Sequence, residues 1–251
     1  MNHLRNSILL ILLFALHMQA LSIAVCAAPG TGEDIEKLLE QLKSQSPNER
    51  RQAAEALGYL EDKRAIEPLI ATLKDSSPDV RAAAANALSE YKDKRAIEPL
   101  IVLLKDSVAF VRSTAARVLG DLADAQAYEP LMTALTDENS SVRGASAMSL
   151  AVLKDQRAVD KLLTMTRDGG ADVRSAVAAS LGVLKDKKAF DALVLLLKDE
   201  DRMVRVAAAI ALADIGDKRA VPVLQETIAG EKNEEARQQM KEALQRLTSS
   251  T

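Results

Sequence analysis

An eight-residue phrase, Asp62-Lys63-Arg64-Ala65-Ile66-Glu67-Pro68-Leu69, returns unchanged from Asp93 to Leu100, a step of 31 residues. Altered copies begin at Asp124, Asp155, Asp186 and Asp217, in the same register. A second landmark keeps the step: Val80-Arg81, Val111-Arg112, Val142-Arg143, Val173-Arg174 and Val204-Arg205. An earlier unit carries Ile35, Leu38, Leu42 and Arg50 in register, and a last one has a single inserted residue before Arg237. Self-similarity at a fixed period of about 20–50 residues marks a solenoid. Each unit is too small to bury its own apolar face and must stack on its neighbours. This overrides the division into two globular domains that 251 residues would otherwise suggest.

One unit read physically predicts a helical hairpin. Asp62 is an N-cap, its carboxylate accepting from free N–H groups of the first turn. Ile66, Leu69, Ile70 and Leu73 follow at helical spacing. Pro68 should bend this helix or delay its regular part, because it lacks a donor. Ser77 caps a second helix with Pro78 at its first position, where no N–H is needed. Val80, Ala84, Ala87, Leu88 and Tyr91 form the second apolar stripe. The capping column then reads Ser46, Ser77, Val108, Asn139, Gly170, Asp201 and Asn233, with Val108 the one poor cap, and Ser46 with Glu49 suggests a capping box. With 2% aromatic residues and no Trp, the core must be built from Leu, Ile, Val and Ala. The expected fold is all-α: a right-handed α-solenoid of about seven antiparallel helical hairpins, with first helices outside the curve and second helices inside.

Arginine opens every second helix, at Arg50, Arg81, Arg112, Arg143, Arg174, Arg205 and Arg237. Six residues before the five middle ones stand Asp75, Asp106, Asp137, Asp168 and Asp199. In strict register the first unit has Ser44 there and the last has Gly230, as atypical capping units would. Aligned acid and guanidinium columns invite charge-assisted hydrogen bonds between units.

The pattern Ala65-Ile66-x-Pro68-Leu69-Ile70, then Lys74-Asp75, then Val80-Arg81-x-x-Ala84-Ala85-x-Ala87-Leu88, resembles the HEAT repeat. It is most similar to the short form of phycobilin-lyase-like HEAT proteins, over an array spanning residues 33–248. The resemblance implies that the Asp–Arg ladder is structural. Ankyrin and tetratricopeptide arrays lack support, since their Thr-Pro-Leu-His and Trp/Tyr signatures are missing.

Ahead of the array, Arg5, the apolar run Ile8–Leu16 and Val25-Cys26-Ala27 read as a secretory signal peptide over residues 1–27, with 28–32 as a short linker. The expected location is therefore secreted or periplasmic. Two alternatives keep the chain at a membrane: an uncleaved anchor over Ser7–Ala28, or lipidation of Cys26. Cys26 is the single cysteine, and His3 and His17 are the two histidines. A chain cut before Ala28 would hold no thiol and no imidazole. Cys/His zinc sites and Cys- or His-based nucleophilic catalysis are then excluded, and neither a metal nor another cofactor is expected. No Gly-rich phosphate loop is present, and the carboxylates recur with the repeat, as caps and ladder members do. Deoxyhypusine hydroxylase-like HEAT proteins use His-Glu pairs that this chain lacks. Phycobilin lyases act on cytoplasmic chromoproteins, away from an exported chain. The formal charge of −3, with acids matching the Arg column and few aromatics for base stacking, argues against nucleic acid.

Function then lies where the units differ. The uncommitted stripe of the second helices is polar in unit one (Asn48, Arg51, Glu55, Tyr59), unit two (Asp79, Ala82, Asn86, Glu90) and most of unit three (Phe110, Ser113, Arg117, Asp121). It is apolar in units four to six, through Met148, Val152, Ala179, Val183, Met203, Val206 and Ile210. These seven residues are the candidate contacts for a protein or peptide partner of a non-catalytic scaffold. The competing readings are burial of the stripe within the stack, a spacer role, and an enzyme or enzyme-associated subunit using groove acids such as Glu90 with Asp121.

Overall fold

The computed structural model describes residues 32–249, and all regular structure among them is helical. The signal segment, the lipidation candidate Cys26 and both histidines lie outside the described residues. Seven hairpins follow one another. They are α1 (Gly32–Gln41) with α2 (Pro47–Leu60), α3 (Ile66–Thr72) with α4 (Pro78–Tyr91), and α5 (Ile97–Leu103) with α6 (Ala109–Leu122). Next come α7 (Tyr128–Ala134) with α8 (Ser140–Val152), and α9 (Val159–Met165) with α10 (Ala171–Leu184). The last two are α11 (Phe190–Leu196) with α12 (Arg202–Ile215), and α13 (Ala220–Gly230) with α14 (Glu234–Ser249).

The asymmetry of each hairpin follows from its caps. The aspartate opening each middle unit caps a single 3₁₀ turn rather than an α-helix. Asp62 accepts from the Arg64 amide at 2.9 Å, and Asp93, Asp124, Asp155 and Asp186 repeat the contact. The α-helical part of the hairpin in unit two therefore starts only at Ile66, which places Pro68 in its first turn, where a missing N–H is tolerated. The first helices are cut to seven residues in the middle units, while their second helices run to 13 or 14. Second helices end on a left-handed residue: Glu61, Lys92, Ala123, Lys185 or Gly216, with Lys154 one residue past the cap of α8.

Two local expectations need correction. Ser77 sits at the N-cap, but its hydroxyl accepts nothing there; instead the Ser77 amide donates to Asp75 Oδ1 at 2.8 Å. The Val108 and Gly170 amides donate to Asp106 and Asp168 in the same way, so the amide at this position is satisfied whatever residue stands there. The capping box in unit one is also only half formed. Ser46 Oγ accepts from the Glu49 amide, while the Glu49 carboxylate turns to Ser44 and the Ser46 amide donates to Ser44 Oγ.

Burial fixes the curvature. Leu69, Leu100, Leu131, Leu162 and Leu193 of the first helices and Leu57, Leu88, Leu119, Leu150, Leu181 and Leu212 of the second are wholly buried in one continuous core. Successive second helices pack along their lengths, whereas successive first helices make only marginal contact. The second helices therefore line the concave side. The closest approaches recur at every second interface, where a glycine stands at Gly58, Gly120 and Gly182. A Cβ on Gly120 would lie 2.5 Å from Ser149 Oγ, and one on Gly182 would lie 2.7 Å from the Ala211 Cα.

Candidate interaction surface

The charged columns form a continuous ladder along one edge. Arg143 donates through Nε and Nη2 to the two oxygens of Asp168, both at 2.8 Å, and through Nη1 to the Asp137 carbonyl at 2.8 Å. The same bidentate pairing joins Arg50 to Asp75, Arg81 to Asp106, Arg112 to Asp137 and Arg174 to Asp199. Each guanidinium thus ties its own loop to the acid of the next repeat. The hydrogen bonds from arginine hold the Asp137, Asp168 and Asp199 carboxyls below the usual carboxylate range.

The C-terminal end corrects the sequence reading. Gly230 does not leave the ladder open, because the inserted residue puts Glu231 in its place. Arg205 binds Glu231 at 2.7 and 3.0 Å, and the Asn233 amide donates to the same carboxylate. The Glu231 carboxyl is held at about 2, chiefly by the Arg205 hydrogen bonds. Only Ser44, at the first unit, lacks an acid. A second set of arginines sits on the convex edge. Arg64, Arg95, Arg157 and Arg219 pair with their capping aspartates, and Arg157 and Arg219 also lie over the Tyr128 and Phe190 rings at 3.9 and 4.3 Å.

The inner stripe is where the repeats diverge. Met148, Val152, Val183 and Met203 are exposed, at 38%, 46%, 45% and 51%. Ala179 and Ile210 are half-buried. Val206 is removed from the surface: at 4% exposure it packs into the core between α12 and its neighbours. Ala82, in the polar stripe of unit two, is buried for the same reason. Both occupy the same repeat position, at which Arg51, Ser113, Gly144 and Ser175 stay half-buried. Two exposed aromatics lie on the same stripe in earlier repeats. Phe110 is 44% exposed at the position equivalent to Met203, and Tyr59 is 86% exposed on α2. The sequence signal for Phe110 was its ring in an otherwise polar row.

A depression of about 650 Å³ opens on this face, lined by Arg117, Asp121, Gly144, Met148, Val152 and Ala176 among others. Its acids are occupied. Asp121 is ion-paired to Arg117 at 2.5 Å and accepts from Ser89, and Asp172 accepts from Ser140 at 2.7 Å. Glu90 makes no hydrogen bond or ion pair among the described residues, while the adjacent Ser89 donates to Asp121. No group of three or more potential metal ligands occurs among the described residues. No described helix is long and apolar enough to cross a membrane.

A family profile described as HEAT repeats matches residues 35–115, 97–182 and 165–245. The chain belongs to the HEAT-repeat family. The HEAT array resembles the complex of CpcE and CpcF of phycocyanin lyase from Nostoc, with TM-score 0.59 and 21% identity over 88% of this chain and 97% of that one. It also resembles YibA of E. coli, with TM-score 0.59 and 20% identity over 86% and 92% of the two chains. Kap95p, solved bound to RanGDP, gives TM-score 0.65 at 16% identity, over 85% of this chain and 35% of that one. At these identities the likeness is one of fold. No curated protein matches the chain.

Proposed function

We propose that this HEAT protein is a non-catalytic, exported scaffold that holds a protein or peptide on the concave face of repeats four to six. One observation carries the reading. Met148, Val152, Val183 and Met203 are exposed on neighbouring second helices, while the same stripe carries the paired charges Arg117–Asp121 in repeat three and Asp214–Arg246 across repeats six and seven. Clustered exposed apolar side chains cost solvation unless a partner covers them. Methionine adapts to varied contact surfaces. Asp121 and Asp172 in the groove are already tied to Arg117 and Ser140, which is in keeping with a binding face. HEAT-like chains seen with proteins, CpcE with CpcF and Kap95p with Ran, are in keeping with such a role. Export rests on the sequence of residues 1–27, and anchoring through an uncleaved segment or Cys26 would change only how the scaffold is held.

The test is paired substitution of exposed residues, Met148→Asp with Val183→Asp. Quantitative capture from the native envelope fraction should lose a specific protein relative to wild type, while thermal melting stays unchanged. Identical capture by both forms would reject the surface.

A further inference from the structure

Successive second helices do not meet alike at every seam. Gly58, Gly120 and Gly182 let α2 meet α4, α6 meet α8 and α10 meet α12 so closely that a Cβ on any of them would lie 2.5–3.0 Å from the neighbouring helix. One repeat on, the same column holds Ser89, Ala151 and Ala213, each with a Cβ that the next helix must clear. Packing is least extensive between α4 and α6 and between α12 and α14. Dispersion fades over a small gap, so these two seams resist opening least.

Side chains divide along similar lines. Arg117 donates to Asn86 Oδ1, and Ser89 Oγ donates to Asp121 Oδ2 at 3.2 Å, linking α4 to α6. Arg246 and Arg202 reach Asp214 and Glu235, each at 3.3 Å, linking α12 to α14. Ser140 bonds Asp172 between α8 and α10. Among the described residues no side-chain pair joins second helices at the glycine seams. At two of those seams the Tyr91 and Ser149 hydroxyls donate instead to the Leu57 and Ala116 carbonyls.

The seam between repeats two and three is held in two unlike ways. Arg81 binds both oxygens of Asp106 at 2.7 and 2.8 Å, largely sheltered from solvent. Arg117 and Asp121 are exposed, and exposed charges hold weakly and are screened by salt. The two contacts stand apart along the helix. Arg81 is the fourth residue of α4, whereas Asn86 and Ser89 are the ninth and twelfth.

We propose that repeats one and two swing as a block against a stiffer body of repeats three to six. The Arg81–Asp106 rung is the pivot, and Arg117–Asn86 with Ser89–Asp121 is the latch. Tyr91, ten residues past Arg81, lies about 15 Å from the rung, so a swing of about 15–20° opens the seam there by about 4–5 Å. Arg117 and Asp121 also line the depression on α6, α8 and α10, so opening releases both groups from α4 on its border. The device does not depend on what the apolar face holds.

The test measures distances between spin labels on the full chain carrying Cys26→Ser, so that labels attach only to introduced cysteines. Lys63→Cys with Ala125→Cys spans the latched seam and one glycine seam. Ala125→Cys with Lys187→Cys, two repeats further on, spans the seam between repeats four and five and another glycine seam. All three sites are exposed in equivalent turns. The first pair should give a distribution about twofold broader than the second, and Arg117→Ala or high salt should move it outward by about 4–5 Å while the second pair stays in place. Asn86→Ala should act as Arg117→Ala does, with circular dichroism unchanged in both. Equal, narrow distributions that neither variant moves would overturn the hinge. Equal broadening of both pairs would overturn the stiff body.

Discussion

Asp168→Asn isolates one rung of the ladder. Asp168 accepts from Arg143 Nε and Nη2 at 2.8 Å each and from the Gly170 amide at 2.9 Å. Asparagine keeps the shape and one acceptor. It turns its NH₂ toward a guanidinium donor and removes the charge that Arg143 faces. A hydrogen bond to a charged group contributes about 1.5–3 kcal/mol. Stripping one partner from a fully buried ion pair costs about 3–5 kcal/mol. The pair keeps 18% and 13% side-chain exposure, and Arg143 retains its bond to the Asp137 carbonyl at 2.8 Å. Solvent screening then brings the expected loss to about 2 kcal/mol, a sizeable part of the roughly 5–15 kcal/mol that holds a typical fold. Urea unfolding measures the loss, and amide exchange locates it. Protection should fall first in α8 and α10, because coupling in a repeat array is between neighbours. The compensating form, Arg143→Met with Asp168→Leu, should recover most of the loss, since an apolar pair leaves no stranded charge. A change below about 0.5 kcal/mol for Asp168→Asn, within the scatter of ordinary surface substitutions, would refute the reasoning.

Other outcomes follow from the same structure. Gly182→Leu should destabilise by about 1–3 kcal/mol through overpacking against the Ala211 backbone, while Gly169→Ala, with open space around it, should melt within error of wild type. Asp137, Asp168, Asp199 and Glu231 titrate below their unfolded values. Their contribution is therefore complete above about pH 5 and is lost as pH falls through the folded values; urea midpoints at pH 3 should lie well below those at pH 7, and a flat profile would contradict this. Ala123→Gly, at a left-handed cap with φ 51°, should raise stability by about 0.5–1 kcal/mol in the same assay. Val206→Asp should unfold the array readily, because Val206 is core, in contrast to exposed Met203→Asp.

Much of the scaffold is legible in the chain because each unit repeats the same instructions. The 31-residue step, the capping aspartates and the arginine at each second helix specify hairpin, stack and ladder together. What escaped the sequence lies where spacing alone misleads. Strict register pointed to Gly230, while the insertion allowed Glu231 to swing into the acid's place. A helical wheel put Val206 beside Met203 on the open face, but the Val206 side chain packs into the continuous core. Ser77 looks like a cap by residue type, yet its hydroxyl takes no part in the cap, and its amide donates to the ladder aspartate. The close approaches at Gly58, Gly120 and Gly182 depend on pairs of repeats, a period twice that of the obvious one.

The central claim, that the concave face of repeats four to six is the working surface, is tested most directly by site-specific photocrosslinking in native cells. A photoreactive phenylalanine analogue placed at Val183 should yield one discrete protein adduct. The same analogue at Val102, which is 69% exposed on the first-helix side, should yield none. Adducts at residue 102 without any at residue 183 would contradict the account.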